Sequence, residues 1–393
     1  MELLVITWNY PPRRGGMEKL MASLCGELRK KYAVHLITAH APSSMADEAG
    51  VYRAPWPGLF VFAVYALWRG AVLLSGRRQI RCVFGGSAMV APLVFVLARA
   101  FRRRAAVQIH GLDVIYRNVV YQQLCIRWLK ACDRVIANSR YTARMAETKG
   151  VVTDRIAVIS PGVEFDRFDE PGDSAADKRS WGAEDRQIVL YVGRLARRKG
   201  VKEFIENSFV EIQQIVPPVI FLIVGDNPTE SLVHRRDAAG EIKSTVAALR
   251  LENHVRLLGV LSDDEVMHLY RACDLVILPV LETTDDVEGF GLVALEAAAA
   301  AKPVVATRVG GIPDAVEDGK SGTLVNPGDY AALSRAVIEL LTDDEKRLSL
   351  GAYARERVRN ELSWNRVVES YVTVFIALDQ GSNHGLNSRG LNS

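Results

Sequence analysis

Cysteine is scarce and scattered, with five residues (Cys25, Cys82, Cys125, Cys132, Cys273) in a chain of 393. None forms a CxxC pair or stands beside a histidine at metal-ligand spacing, which argues against a disulfide framework and a thiolate metal site and predicts buried thiols in a reducing compartment. No DxD sequence occurs, and Asp263-Asp264, Asp285-Asp286 and Asp343-Asp344 lack the further ligands of a divalent-metal site, so no metal ligand is assigned. Neither half opens with GxGxxG, which disfavours a NAD-dependent enzyme. Long apolar runs are missing as well: 59–68 and 88–98 fall short of the roughly 20 residues that cross a bilayer, and no membrane span is expected. The start, Glu2-Leu-Leu-Val-Ile-Thr7, carries no basic stretch, apolar core or small-residue cleavage site, so a cytoplasmic location is expected.

What is present is an apolar content of 49% with 24% charged residues, the balance of a globular protein with room for two domains. The net charge of +3 hides an asymmetry. Residues 1–160 hold 23 Lys and Arg against 9 Asp and Glu, or +14, and the rest hold 26 against 37, or −11. A basic first half favours an anionic partner.

Short Val/Ile/Leu runs alternate with stretches of helical period, the mark of βα units on parallel sheets. Strands are expected near 2–7, 34–38, 81–84, 106–109, 134–137 and 156–159, and again near 188–192, 219–224, 255–257, 275–278, 304–306 and 322–325. The polar run between the two series reads as a linker. The expected division is a first Rossmann-like domain at 1–165, a linker at 166–186, a second such domain at 187–362, a closing helix at 363–379 and a disordered tail at 380–393. Two doubly wound domains facing a cleft follow, with ligands at the carboxyl ends of strands.

Four constellations sit at such ends. Glu288-Gly-Phe-Gly-Leu-Val-Ala-Leu-Glu296 opens a helix expected near Phe290, whose amides and positive dipole end can hold an anion or sugar oxygens. Gly289 and Gly291 would let a ligand approach, and the two carboxylates, about 10 Å apart along the helix axis, suit a ligand with hydroxyls at both ends. Gly193-Arg-Leu-Ala-Arg-Arg-Lys-Gly200 follows a strand, and Arg194 and Lys199 can converge there on a diphosphate. Arg197 and Arg198 are expected to stay solvated. Gly15-Gly16 follows the first strand and opens a helix, as a phosphate close to backbone requires. His110-Gly-Leu-Asp113 follows another strand on the same side.

Together these residues resemble the family 4 glycosyltransferases of GT-B fold, most specifically in Gly193–Gly200, Glu288–Glu296, Lys302-Pro-Val-Val-Ala306 and Gly310-Gly-Ile-Pro-Asp314. The chain departs from the pattern modestly, with Asp314 where glutamate is frequent and Ala301-Lys302 in place of a glycine. The resemblance implies a retaining transferase without metal or cofactor. In it Arg194 and Lys199 bind the donor diphosphate, Glu296 the ribose, and Glu288 the transferred sugar with the amides of Phe290, Gly291 and Leu292. Gly15 and Gly16 approach the phosphate from the first domain, His110 reaches an outer sugar hydroxyl, and the closing helix at Trp364 crosses back to the first domain. Such enzymes attack from the front face, so no protein nucleophile is assigned. Acidic residues from Glu282 to Asp286 resemble those of phosphatidylinositol mannosyltransferases and favour GDP-mannose, with a UDP-sugar as the other donor. Replacing Lys199 or Glu288 should then abolish transfer with little loss of stability.

Arginines at 69, 77, 78, 81, 99 and 102–104 follow aromatic and apolar stretches, which predicts peripheral contact with an anionic membrane and a lipid-linked or glycan acceptor at the cytoplasmic face of the inner membrane. Competing readings are a nucleotide-sugar epimerase on the same architecture and a non-enzymatic binder of anionic surfaces or nucleic acid. No nucleic-acid recognition module is found. Nothing in the sequence sets the oligomeric state.

Overall fold

A computed structural model of the chain describes residues 2–13, 15–42, 48–169, 172–227, 237–283 and 286–381. The chain divides into two compact units, residues 1–162 with 364–393, and 163–363.

The first unit carries a parallel sheet of order β3-β2-β1-β4-β5-β6-β7. Its strands are β1 (Glu2–Thr7), β2 (Ala33–Thr38), β3 (Val51–Arg53), β4 (Ile80–Gly85), β5 (Arg104–Ile109), β6 (Arg134–Ala137) and β7 (Ile156–Val158). The second carries β10-β9-β8-β11-β12-β13, all parallel. These are β8 (Gln187–Val192), β9 (Val219–Val224), β10 (Val255–Gly259), β11 (Leu275–Leu278), β12 (Val304–Thr307) and β13 (Gly322–Val325). Central strands such as β9 are buried at every position, because helices cover both faces of a parallel sheet and leave no alternation to read. Two Rossmann-like sheets are therefore established, with β3 an edge strand beyond the twelve expected.

The closing helix Trp364–Asp379 belongs to the first unit. Its Tyr371 and Phe375 pack edge-on against Phe84 at 6.2 and 5.4 Å, and the Tyr371 hydroxyl donates to Gln108 Oε1 at 2.6 Å inside the core. Each buried aromatic there stabilises by about 1.5–3 kcal/mol, enough to hold a segment that returns from 200 residues further along the chain.

Two expectations need correction. Segment 166–186 is not a bare linker: Phe168 packs on the second unit's core, as does Phe165 just before the segment, and Asp173 caps a helix at Ser174–Ser180. Its buried Asp177 pairs with Arg271 and His268 at 2.8 and 2.6 Å, and the unit boundary falls at Gly162/Val163. The apolar stretch at 59–68 also runs on past Arg69. Helix α2, after α1 (Gly16–Arg29), spans Leu59–Gly76 with a mean hydropathy of 1.7, and among the described residues it is the one helix long and apolar enough to cross a membrane. Arg69 ends the run on paper only, since its guanidinium turns aside and lies 4.2 Å from the Tyr52 ring centre. Phe62, Ala66, Leu73 and Leu74 of α2 are buried in the first unit's core, together with helix α3 (Ala91–Ala100). Of the disordered tail expected at 380–393, Gln380 and Gly381 close the final helix by donating to the Ile376 and Leu378 carbonyls, and residues 382–393 lie outside the described residues.

Candidate functional site

The second unit gathers its charges where β8 ends. Gly193 leaves the sheet with a positive φ, and the buried Tyr191 hydroxyl donates to the Arg194 carbonyl at 2.9 Å, fixing the start of the loop. The loop closes in a tight turn at Arg197–Lys199. Gly200 follows at φ 68°, where an added Cβ would overlap the Pro279 carbonyl. The Leu281 N–H donates to the Arg198 carbonyl at 2.7 Å, so the turn is seated on the segment after β11.

Arg198 and Lys199 thereby reach the carboxylates of the Glu288 motif. Lys199 Nζ donates to Glu288 Oε2 at 2.5 Å, and the Arg198 guanidinium donates to the same oxygen at 2.6 Å and to Asp286 Oδ2 at 2.5 Å. Arg198 is only 7% exposed, so the expectation of a solvated guanidinium is corrected. Buried charges survive only when paired, and this one bridges two carboxylates. Arg194 and Arg197 are exposed. Arg194 is still close enough for its charge to act on the Lys199 ammonium.

Burial alone would raise the Glu288 pKa, but Lys199 and Arg198 outweigh it and hold the carboxyl at about 2. Burial lowers the basicity of Lys199, Glu288 offsets part of this, and the neighbouring guanidiniums add to the lowering. The four paired charges cancel, two cations against two carboxylates, and Arg194 stands beside them as a further cation.

The main chain at Glu288 is held as firmly as its side chain. The Gly311 N–H donates to the Glu288 carbonyl at 2.9 Å, and a Cβ on Gly310 would overlap that carbonyl, so the Gly310-Gly311 pair is a packing surface for the motif. The helix then starts at Leu292, two residues later than expected, because Gly291 takes a left-handed φ of 92° as its N-cap. No side chain caps it, so its first amides and its dipole are turned to whatever lies ahead of Gly291. The Phe290 side chain is buried in the core, which leaves only its backbone for a ligand. Glu296, further along the helix, accepts from the buried Tyr270 hydroxyl at 2.9 Å.

In the first unit, Gly15 and Gly16 open α1, again without a side-chain cap. The closest neighbour at Gly15 is the Glu18 carboxylate, which a Cβ there would overlap and which accepts from Asn9 Nδ2 at 2.7 Å. His110 is buried at the end of β5, with Nε2 2.8 Å from the Gly86 carbonyl. A carbonyl only accepts, so Nε2 carries a proton in this contact, and the matching neutral tautomer leaves Nδ1 as an acceptor. Asp113 takes the His110 N–H on one oxygen at 2.8 Å and the Ala88 N–H on the other at 2.9 Å.

Thus Lys199 and Glu288 come together, three residues before the Gly291 cap of the helix in sequence, Arg194 stands nearby, and Glu296 has a partner of its own. Gly15, Gly16 and His110 belong to the other unit. Sequence named Arg198 only as solvated and Asp286 only within an acidic run, assigned neither to the site, and passed over Tyr270. Only the excess of charge in both segments hinted at the first two.

Comparison with known proteins gives two family matches, "Glycosyltransferase Family 4" over residues 14–167 and "Glycosyl transferases group 1" over 173–357. A GDP-mannose-dependent alpha-(1-6)-phosphatidylinositol monomannoside mannosyltransferase of Mycolicibacterium smegmatis is 30% identical over 376 residues, covering 92% of this chain and 95% of that enzyme. A D-inositol 3-phosphate glycosyltransferase of Geodermatophilus obscurus is 35% identical over 253 residues, 62% of this chain and 52% of that one. Among solved structures, Anabaena Alr3699/HepE in complex with UDP matches with a TM-score of 0.78 at 20% identity, covering 96% of this chain and 100% of that one.

Proposed function

This chain belongs to glycosyltransferase family 4, with the GT-B pair of Rossmann-like domains, and we propose that it moves a hexose with retention of configuration from a nucleotide-diphosphate sugar to a lipid-linked or cell-envelope glycan acceptor. The observation that carries this reading is the Lys199–Glu288–Arg198 cluster ahead of the uncapped helix at Leu292. Lys199, Arg194 and the helix amides meet the charge that grows on the leaving diphosphate, which supplies by protein cations what a metal would otherwise supply. Glu288 holds hydroxyls of the transferred sugar, and Glu296 those of the ribose. Gly15 and Gly16 contact the phosphate and His110 an outer hydroxyl. In the chemical step the bond from the anomeric carbon to the phosphate oxygen breaks as the acceptor oxygen attacks the same face. The acceptor proton passes to a phosphate oxygen, so no side chain serves as nucleophile.

GDP-mannose is the favoured donor, because full-length relatives are named for it. A thermal-shift screen against GDP-, UDP- and ADP-sugars tests the choice. The true donor at 100 times its dissociation constant should stabilise by about 2.7 kcal/mol, and an equal response to all three would remove the assignment. Transfer should proceed unchanged in EDTA, and a tenfold loss restored by magnesium would end the metal-independent reading.

The acceptor is proposed to lie in an anionic membrane at its cytoplasmic face. Residues 51–132 contain twelve Arg and Lys and one acidic residue, Asp113. On α2, Phe60, Val64, Trp68 and Val72 recur every fourth residue and are exposed, Phe60 by 81% and Trp68 by 58%. Cations beside an apolar stripe fit a helix lying in the headgroup layer. The wild-type protein should sediment with phosphatidylglycerol vesicles at low salt, and Phe60→Asp with Trp68→Asp should cut the bound fraction at least fivefold. Binding that survives both changes would take the stripe out of the account.

A further inference from the structure

Polar side chains line the carboxyl edge of the first unit's sheet, one to a strand. In spatial order they are Thr38 at the end of β2, Thr7 at the end of β1, Ser87 just beyond β4, His110 after β5 and Asn138 after β6. All five are buried. Ser87 is 3% and Asn138 4% exposed, yet Ser87 Oγ and Asn138 Oδ1 have no hydrogen-bond partner among the described residues. Buried polar atoms are almost always paired, and an unmade pairing costs about 1–3 kcal/mol, so two such atoms, one on each side of His110, call for a ligand that completes them.

Both flank His110. The His110 ring bonds the carbonyl of Gly86, the residue before Ser87, and the Asn138 N–H donates to the carbonyl of Ile109, the residue before His110. The parallel register pairs Gly85 with Val107 and Ile109 with Ala137, which carries Ser87 and Asn138 to either side of the histidine. Asp113 ties the loops after β4 and β5 together by accepting from the Ala88 and His110 N–H groups.

We infer that Ser87 Oγ and Asn138 Oδ1, with His110 between them, form a subsite for hydroxyl groups of a sugar or polyol. A serine hydroxyl both donates and accepts, the Asn138 carbonyl oxygen accepts, and His110 with Nε2 committed offers an acceptor at Nδ1. Carboxylates and phosphates bring no hydroxyl proton for these acceptors, whereas neighbouring sugar hydroxyls satisfy all three. The inference rests on the proposed transferase reading, and the hydroxyls belong either to the acceptor or to the transferred sugar.

Ser87→Ala and Asn138→Leu in the full chain test it, with methyl α-D-mannopyranoside, GDP-mannose and GDP as probes followed by ligand-observed NMR. Each variant should weaken the mannoside about tenfold if the subsite serves the acceptor, or GDP-mannose but not GDP if it serves the donor sugar, the loss of one hydrogen bond worth ~1.4 kcal/mol. The melting temperature should hold or rise, because an unsatisfied polar atom has been removed. Unchanged affinity for both sugars in a folded Ser87→Ala protein would overturn the subsite, and that single-atom deletion stays informative if the leucine variant fails to fold. GDP binding reads the nucleotide site alone, so failure of the proposed function shows there and is separate from failure of the subsite.

Discussion

Glu288→Gln is expected to lower kcat/KM about 10²–10³-fold, roughly 3–4 kcal/mol of transition-state stabilisation, and also to destabilise the second unit. The sequence alone suggested a catalytic loss with stability spared. The structure changes that because Glu288 is the common partner of the buried Arg198 and the half-buried Lys199, and removing one member of such a cluster strands the others. The effect has a pH signature. With its folded pKa held at about 2, below the ordinary 4.5, the carboxylate contributes stability that is complete above about pH 4.5 and is lost as the pH falls toward 2. A shift of that size corresponds to something on the order of 3 kcal/mol. Melting curves of wild type and variant should therefore lie well apart at pH 7 and draw together as the pH falls from about 4.5 to about 2. Parallel curves over that range, or turnover within twofold of wild type, would show that Glu288 holds neither charge nor substrate.

The reason this coupling was hidden lies in the distance along the chain. Arg198 and Glu288 are 90 residues apart, and a run of Arg-Arg-Lys in a glycine-bounded turn reads locally as a solvated surface. Which cation turns inward depends on Gly200, whose left-handed backbone seats the turn under the Pro279 carbonyl, a tertiary fact with no local mark. The strands were legible because buried parallel strands are near-continuous Val, Ile and Leu, as in Val219–Val224. Val51–Arg53 was not, since a three-residue edge strand is too short to show any period. The helix at Ser174 was masked by the Pro-Gly-Asp-Ser sequence before it, where Asp173 turned out to be a helix cap. Ser87 and Asn138 could not be seen at all. An unsatisfied atom becomes visible only once every potential partner has a position.

Lys199→Ala and Arg198→Ala separate chemistry from architecture within the same cluster. Among the described residues Lys199 pairs with Glu288 alone, and Glu288 keeps Arg198 when the ammonium is gone, so the Lys199 variant should lose no more than about 1–2 kcal/mol of stability. Its transfer rate should still fall about 10²–10³-fold, because the cation proposed to face the diphosphate is missing. Arg198 bridges both carboxylates, and its removal leaves Asp286 without that guanidinium and Glu288 with one cation, a loss of about 3–5 kcal/mol. Arg198→Lys should recover only part of it, since an ammonium cannot span two carboxylates as a planar fork does. Differential scanning calorimetry beside a radiolabelled-donor transfer assay gives both quantities for each protein. If the Lys199 variant melts as low as the Arg198 variant while turning over within threefold of wild type, the ammonium is structural and the diphosphate is held elsewhere.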